Sequence, residues 1–216
     1  MDEGRRERKK RQTRERVQEA ALELFTKHGY RTTTIAAIAE HADVATRTVT
    51  LHFPTKEDLL FADDPFTPAS LAERLADRAA PALDVVRDWM RDTMHVLDRR
   101  DTLRDRAPGE VWARRTRRAA LIAEDEDLRG RARAAYHDLE RLIATAVGED
   151  LGLPADALAP RLAAYAVTGG LRELYTTDEV RHGPADLLAL VDEVLAFAHA
   201  GLTRLAGQGS ERRSVH

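Results

Sequence analysis

The chain has 216 residues and no cysteine. That excludes disulfides, thiolate metal sites and a cysteine nucleophile together. Serine occurs only at Ser70, Ser210 and Ser214. The last two lie in a polar tail, so a serine nucleophile would have to be Ser70, at an apparent helix start. Aromatic residues make up 5%, and 12 Gly with 8 Pro are too few for a fold of many short strands and turns. No apolar run approaches the roughly 18 residues of a membrane span. The opening MDEGRRERKKRQTRER has no apolar centre and does not read as a secretory signal. The motifs GxGxxG, GxxxxGK(S/T) and HExxH are absent, and His95, His137 and His182 are isolated. No catalytic residue, metal or cofactor is therefore expected. What remains is a 43% apolar fraction, enough for a packed core, and the expectation of a cytoplasmic, mostly helical protein with no membrane partner.

Arginine dominates the cations. Only Lys9, Lys10, Lys27 and Lys56 are lysines, and all fall before residue 60. The overall charge of −3 is unevenly placed, with +4 in the first sixteen residues, +2 over residues 1–60 and −5 over the rest. A basic arm (Arg5, Arg6, Arg8, Lys9, Lys10, Arg11) on an acidic body points to an N-terminal end that meets a polyanion. A solvated, disordered terminus accounts for the same charges, and both readings stand at this level.

Val17, Ala20, Ala21, Leu24 and Phe25 recur at helical spacing, and Gly29 offers a left-handed cap. Thr32, Thr33 and Thr34 offer N-caps for a short helix carrying Ile35, Ile38 and Ala39. A break at Ala42-Asp43-Val44 leads into a second short helix, about 46–52, stopped by Pro54. Thr55 with Asp58 then caps the start of another. The segment 62–68 reads as a hinge, Thr67-Pro68 as a helix start, and Ser70 with Glu73 as a second capping box. Longer helical patterns follow, interrupted at Pro81, 105–109, 148–154 and 182–184. The domains expected are a disordered basic arm (1–12), a small helical domain (13–62), a larger helical domain (67–206) and a disordered tail (207–216). The fold class is all-α.

Two short helices joined by a tight turn beside a basic arm are the parts of a helix-turn-helix. The close crossing needs small residues, which Ala39 and Ala42 supply, and the turn needs positive φ, which Asp43 tolerates. Val44 and Val49 can plug the second helix into the core. The outward face then carries Thr46, Arg47, Thr48 and Thr50, with Arg suited to guanine and a threonine methyl to thymine.

Residues 13–60 resemble the DNA-binding domain of TetR-family transcriptional regulators. The resemblance rests on Ala20-Ala21, Leu24-Phe25, Gly29-Tyr30, Thr33 or Thr34, Ile38-Ala39, Val44, His52-Phe53, Lys56-Glu57 and Leu59-Leu60, in that order. Two departures stand out: Asp43 replaces the usual turn glycine, and Thr50 the tyrosine usual before the His-Phe pair. The resemblance implies a homodimer on double-stranded DNA, bound at an inverted-repeat operator. Thr46, Arg47 and Thr48 would read bases, and Thr33, His52 and Lys56 would hold phosphates. Thr50 would carry a weakened or replaced phosphate contact.

The same resemblance implies a small-molecule effector in the larger domain and dimerisation through its last two helices, about 155–180 and 184–206. Plain intramolecular packing explains their small and apolar residues as well. For a ligand pocket, Trp89, Met90 and Met94 offer adaptable apolar groups, with Trp112 and Tyr136 beside them. Arg115 lies on an apolar face and needs a partner, either a structural carboxylate or an anionic ligand. The stretch 80–175 is similar to MftR-like regulators, which implies an acyl-CoA as a ligand class. The reading is a ligand-responsive repressor. The alternative is an effector-independent regulator controlled by a protein partner, and the chemical inventory argues against a helical enzyme.

Overall fold

The computed structural model describes residues 2–62, 64–102, 110–174 and 187–213, with side chains over 4–62, 64–96, 113–174 and 188–205. Among the described residues there are ten helices and no strand: α1 (Asp2–His28), α2 (Ile35–His41), α3 (Thr46–His52), α4 (Asp58–Phe61), α5 (Pro68–Ala76), α6 (Ala82–Thr102), α7 (Glu110–Glu124), α8 (Glu126–Leu151), α9 (Leu158–Leu174) and α10 (Leu187–Arg213). The chain divides into two compact units. The first joins residues 1–64 to 114–130, and the second joins 65–113 to 131–216.

Three expectations need correction. Residues 2–12, expected as an irregular arm, form the first turns of α1. Their Arg, Lys, Glu and Gln are good helix formers, and Arg11 pairs with Glu15 one turn on. Residues 207–213, expected as a disordered tail, continue α10, because extending an existing helix is far easier than nucleating one. A single cut between residues 62 and 67 does not describe the molecule either, since residues 114–130 belong with the first unit. The expected breaks at 105–109 and 182–184 lie outside the described residues.

Local signals elsewhere match the elements. Gly29 sits at φ +86 and its amide donates to the Phe25 carbonyl at 2.9 Å, ending α1. Thr55 and Asp58 cap each other's amides at 3.3 and 3.0 Å. Thr67 opens α5 in a capping box, but its partner is Ser70, not a Ser70–Glu73 pair. The Ser70 amide donates to Thr67 Oγ1 at 3.1 Å, and the Thr67 amide donates to Ser70 Oγ at 3.3 Å.

The core of the first unit gathers Val17, Ala21 and Phe25 of α1, Ile38 of α2, Val49 of α3 and Leu59 of α4, together with Leu121 and Leu128. The second unit packs α6, α8, α9 and α10 around Val86, Trp89, Ile143, Val147, Val167 and Val191. Within it α9 has two faces. Ala163, Ala164 and Val167 are buried, and a Cβ on Gly170 would come within 2.6 Å of the Val194 side chain, so α9 and α10 approach closely only without one. On the other face Leu158, Leu162 and Tyr165 are exposed, as is Phe197 on α10.

Candidate nucleic-acid interface

Thr34 caps α2 by accepting from the Ala37 amide at 3.1 Å. After Ala42, the backbone turns through Asp43 at φ +50, the left-handed conformation that the turn demands. The Val44 amide then donates to the Ala39 carbonyl at 3.0 Å and closes the turn. Ala39 and Ala42 are buried, and their small side chains let the two helices meet.

One side of α3 is fixed by Val49 and by Phe53 just beyond its end, both fully buried, while Val44 is half-buried. The helical period then leaves Thr46, Arg47, Thr50 and Leu51 exposed, with Thr48 and His52 half-buried on the flank. No acidic residue occurs in α3. Its C-terminal end is held by Arg14 of α1, whose guanidinium donates to the His52 carbonyl at 2.7 Å and lies 4.4 Å from the Phe53 ring centroid. Burial, then Arg14 and Lys10, push the His52 imidazole below its ordinary pKa.

Two residues expected at phosphates are engaged elsewhere. The Thr33 side chain is buried, and its hydroxyl donates to the Gly29 carbonyl at 2.8 Å. The Lys56 ammonium donates to the carbonyls of Tyr30 and Thr33 at 2.8 and 3.2 Å, and sits 4.2 Å from the Tyr30 ring centroid. The Tyr30 hydroxyl donates to Glu57 at 2.8 Å. These contacts tie the α1–α2 turn to the segment before α4. Leu51 was missed from sequence; the register set by Val49 and Phe53 is the signal that places it outward.

A second set of contacts braces this unit. Arg31 donates to Asp125 at 2.7 Å and to Asp127 at 3.1 Å. Asp125 also caps α8, accepting from the amides of Asp127 and Leu128 at 3.0 and 3.2 Å. Burial alone would raise the Asp125 pKa, but the Leu128 amide and Arg31 hold it below the ordinary carboxylate value. Arg114 pairs with Glu19 at 3.4 Å. Arg115, open to a structural carboxylate or an anionic ligand, donates to Asp64 at 3.2 Å, beside Arg118 at 2.6 Å.

The other expected ligand residues lie in the second unit. Trp89, Met90 and Met94 are buried in its core, with the Trp89 indole donating to Ser70 Oγ at 3.1 Å. Tyr136 is half-buried, and the Trp112 side chain lies outside the described residues. Among the described residues no acidic or histidine group is arranged to hold a metal, and no helix is long and apolar enough to cross a membrane.

Residues 18–62 match the model of bacterial regulatory proteins of the tetR family, and residues 80–203 match the MftR C-terminal domain. The HTH-type transcriptional regulator TcmR of Streptomyces glaucescens is 46% identical over 56 residues, 26% of this chain. That match spans only a quarter of TcmR's own length. Among solved structures, NalD of Pseudomonas aeruginosa, the secondary repressor of a multidrug efflux pump, superposes with a TM-score of 0.59 at 22% identity, over 89% of this chain and 97% of NalD. FadR of Thermus thermophilus, solved with lauroyl-CoA, gives 0.51 at 22% identity, over 88% and 94%. Such identities are a likeness of fold. The domain models and the helix-turn-helix geometry converge: the chain belongs to the TetR family of bacterial regulatory proteins, with a C-terminal domain of the MftR kind.

Proposed function

We propose that this regulator is a homodimeric repressor that binds an inverted-repeat operator through α3 and leaves it when a small molecule binds the second unit. The observation that carries the DNA half is the division of α3: Val49 is buried while Thr46, Arg47 and Thr50 face outward. Arg47 would read a guanine and Thr46 and Thr48 neighbouring base edges. Half-buried His52 would contact a phosphate. Thr33 and Lys56 would act indirectly, by shaping the turn that precedes α2. The exposed apolar face of α9 and Phe197 of α10 would meet the same surfaces of a second copy.

For the effector, Trp89, Met90 and Met94 supply the adaptable apolar interior, with Tyr136 and Trp112 as further candidates. The similarity of the second unit to the MftR C-terminal domain makes an acyl-CoA the first ligand class to test. Arg115, paired with Asp64, is not the anion-binding group in this reading.

The test is affinity selection of genomic fragments by the purified protein at about 0.1 and 0.3 M salt, where non-specific binding falls steeply. A compact inverted repeat that survives the higher salt, and is released by an acyl-CoA, is expected. Absence of any enriched sequence, from protein stripped of bound small molecules, overturns the repressor reading. An operator indifferent to acyl-CoA overturns the ligand class alone.

A further inference from the structure

We infer that Leu51 is a specificity-determining residue that reads the 5-methyl group of a thymine next to the base met by Arg47. The inference rests on the operator reading above and sharpens it. Leu51 is 79% exposed. A lone exposed leucine is ordinary on a protein surface; the place of this one is informative. The apolar requirement of α3 is met by fully buried Val49 and Phe53, so Leu51 adds nothing to the core opposite it.

Arg47 and Leu51 are separated by four residues, which makes them neighbours on the outward face. On the other side of Arg47, Thr50 donates its hydroxyl to the Arg47 carbonyl at 3.2 Å. With that donor satisfied, Thr50 offers a methyl group. The centre of the face is therefore one cation flanked by two apolar groups.

That arrangement has a specific complement. Arginine forms its bidentate contact with O6 and N7 of guanine, and the apolar feature of the major-groove base edges is the thymine methyl. Phosphates want cations and hydrogen-bond donors, and gain nothing from a leucine side chain. The matching step is a guanine with a thymine beside it, on either strand.

The probe is the selected operator carrying deoxyuridine in place of one thymine at a time, a change that removes the methyl group and nothing else. For the full-length wild-type protein, one thymine per half-site, adjacent to a guanine, should cost about four-fold in affinity on losing its methyl. Leu51→Ala should bind the unmodified operator more weakly and respond to that substitution by less than about two-fold. Its thermal unfolding should match wild type, since the side chain is exposed. Thr50→Ser, which keeps the hydroxyl and removes the methyl, should retain the Leu51-dependent response. Three results overturn the inference: no thymine sensitive to methyl loss, an undiminished response in Leu51→Ala, or a response abolished by Thr50→Ser instead. Failure to select any operator overturns the DNA reading and this inference with it, whereas an operator indifferent to methyl removal overturns this inference alone.

Discussion

Arg14 and His52 are joined through the main chain: the α1 guanidinium donates to the carbonyl at the C-terminal end of α3, at 2.7 Å. A cation there also suits the negative end of the helix. Arg14→Ala should lower unfolding stability by about 1.5 kcal/mol, the usual scale for a hydrogen bond to a charged group, and should weaken operator binding by loosening α3. Urea unfolding followed by far-UV circular dichroism checks this. An unchanged midpoint would show that α3 holds its place without α1.

His52 predicts a pH dependence whose sign follows from its environment. Its folded pKa is held below the ordinary value of 6.5 by burial, Arg14 and Lys10. As pH falls through 6.5 the unfolded chain takes up the proton first. The stability from this group is therefore present above 6.5 and is lost as pH drops toward and past the folded value. Relative to His52→Asn, wild type should lose stability as pH falls through 6.5 and toward the lower folded value. The loss should shrink in Arg14→Ala. A constant difference between wild type and His52→Asn would refute the assignment.

Lys56 distinguishes a structural cation from a phosphate contact. Its ammonium is held by main-chain carbonyls of the α1–α2 turn and by the Tyr30 ring. Lys56→Met should cost about 2 kcal/mol of stability. The slope of log affinity against log salt on the operator should stay unchanged, where loss of a phosphate contact would reduce it by about 0.9. A reduced slope would return Lys56 to the DNA surface.

Asp64 is the shared carboxylate of Arg115 and Arg118, and all three side chains are largely shielded. Asp64→Asn removes the carboxylate that both poorly solvated guanidinium groups share and should destabilise by about 2 kcal/mol. For a chain of this size that is a fall of about 4–8 °C in Tm, measurable by scanning calorimetry. Adding Arg115→Met to Asp64→Asn should recover part of the loss, because one of the two shielded cations facing the neutral side chain is gone.

What was legible in the sequence follows the range of the interactions. Short-range chemistry read well: Asp43 at positive φ, Gly29 ending α1, the Thr55–Asp58 pair and the bounds of α3 all depend on neighbours a few residues apart. Long-range pairings did not. Nothing around Arg115 names Asp64, 51 residues away, and nothing around Arg31 names Asp125. The family resemblance implies phosphate contacts for Thr33 and Lys56, whereas the turn at residues 30–33 uses their donors internally. The arm misled for a different reason. Its charge density suits disorder, yet the same residues have high helix propensity and follow directly onto a packed helix.

The discontinuity of the first unit has a practical consequence for swapping modules between regulators. Residues 114–130 supply Leu121 and Leu128 to its core and the partners of Glu19, Arg31 and Asp64. A fragment cut near residue 64 would carry an uncovered apolar patch and would lose the ion pairs that residues 114–130 supply. A chimera that keeps the first unit whole has to splice twice more, inside α7 and inside α8, so that residues 114–130 travel with residues 1–64. Transplants cut near residue 64 alone would leave the core of the first unit incomplete, and their failure to bind DNA would say nothing about the operator.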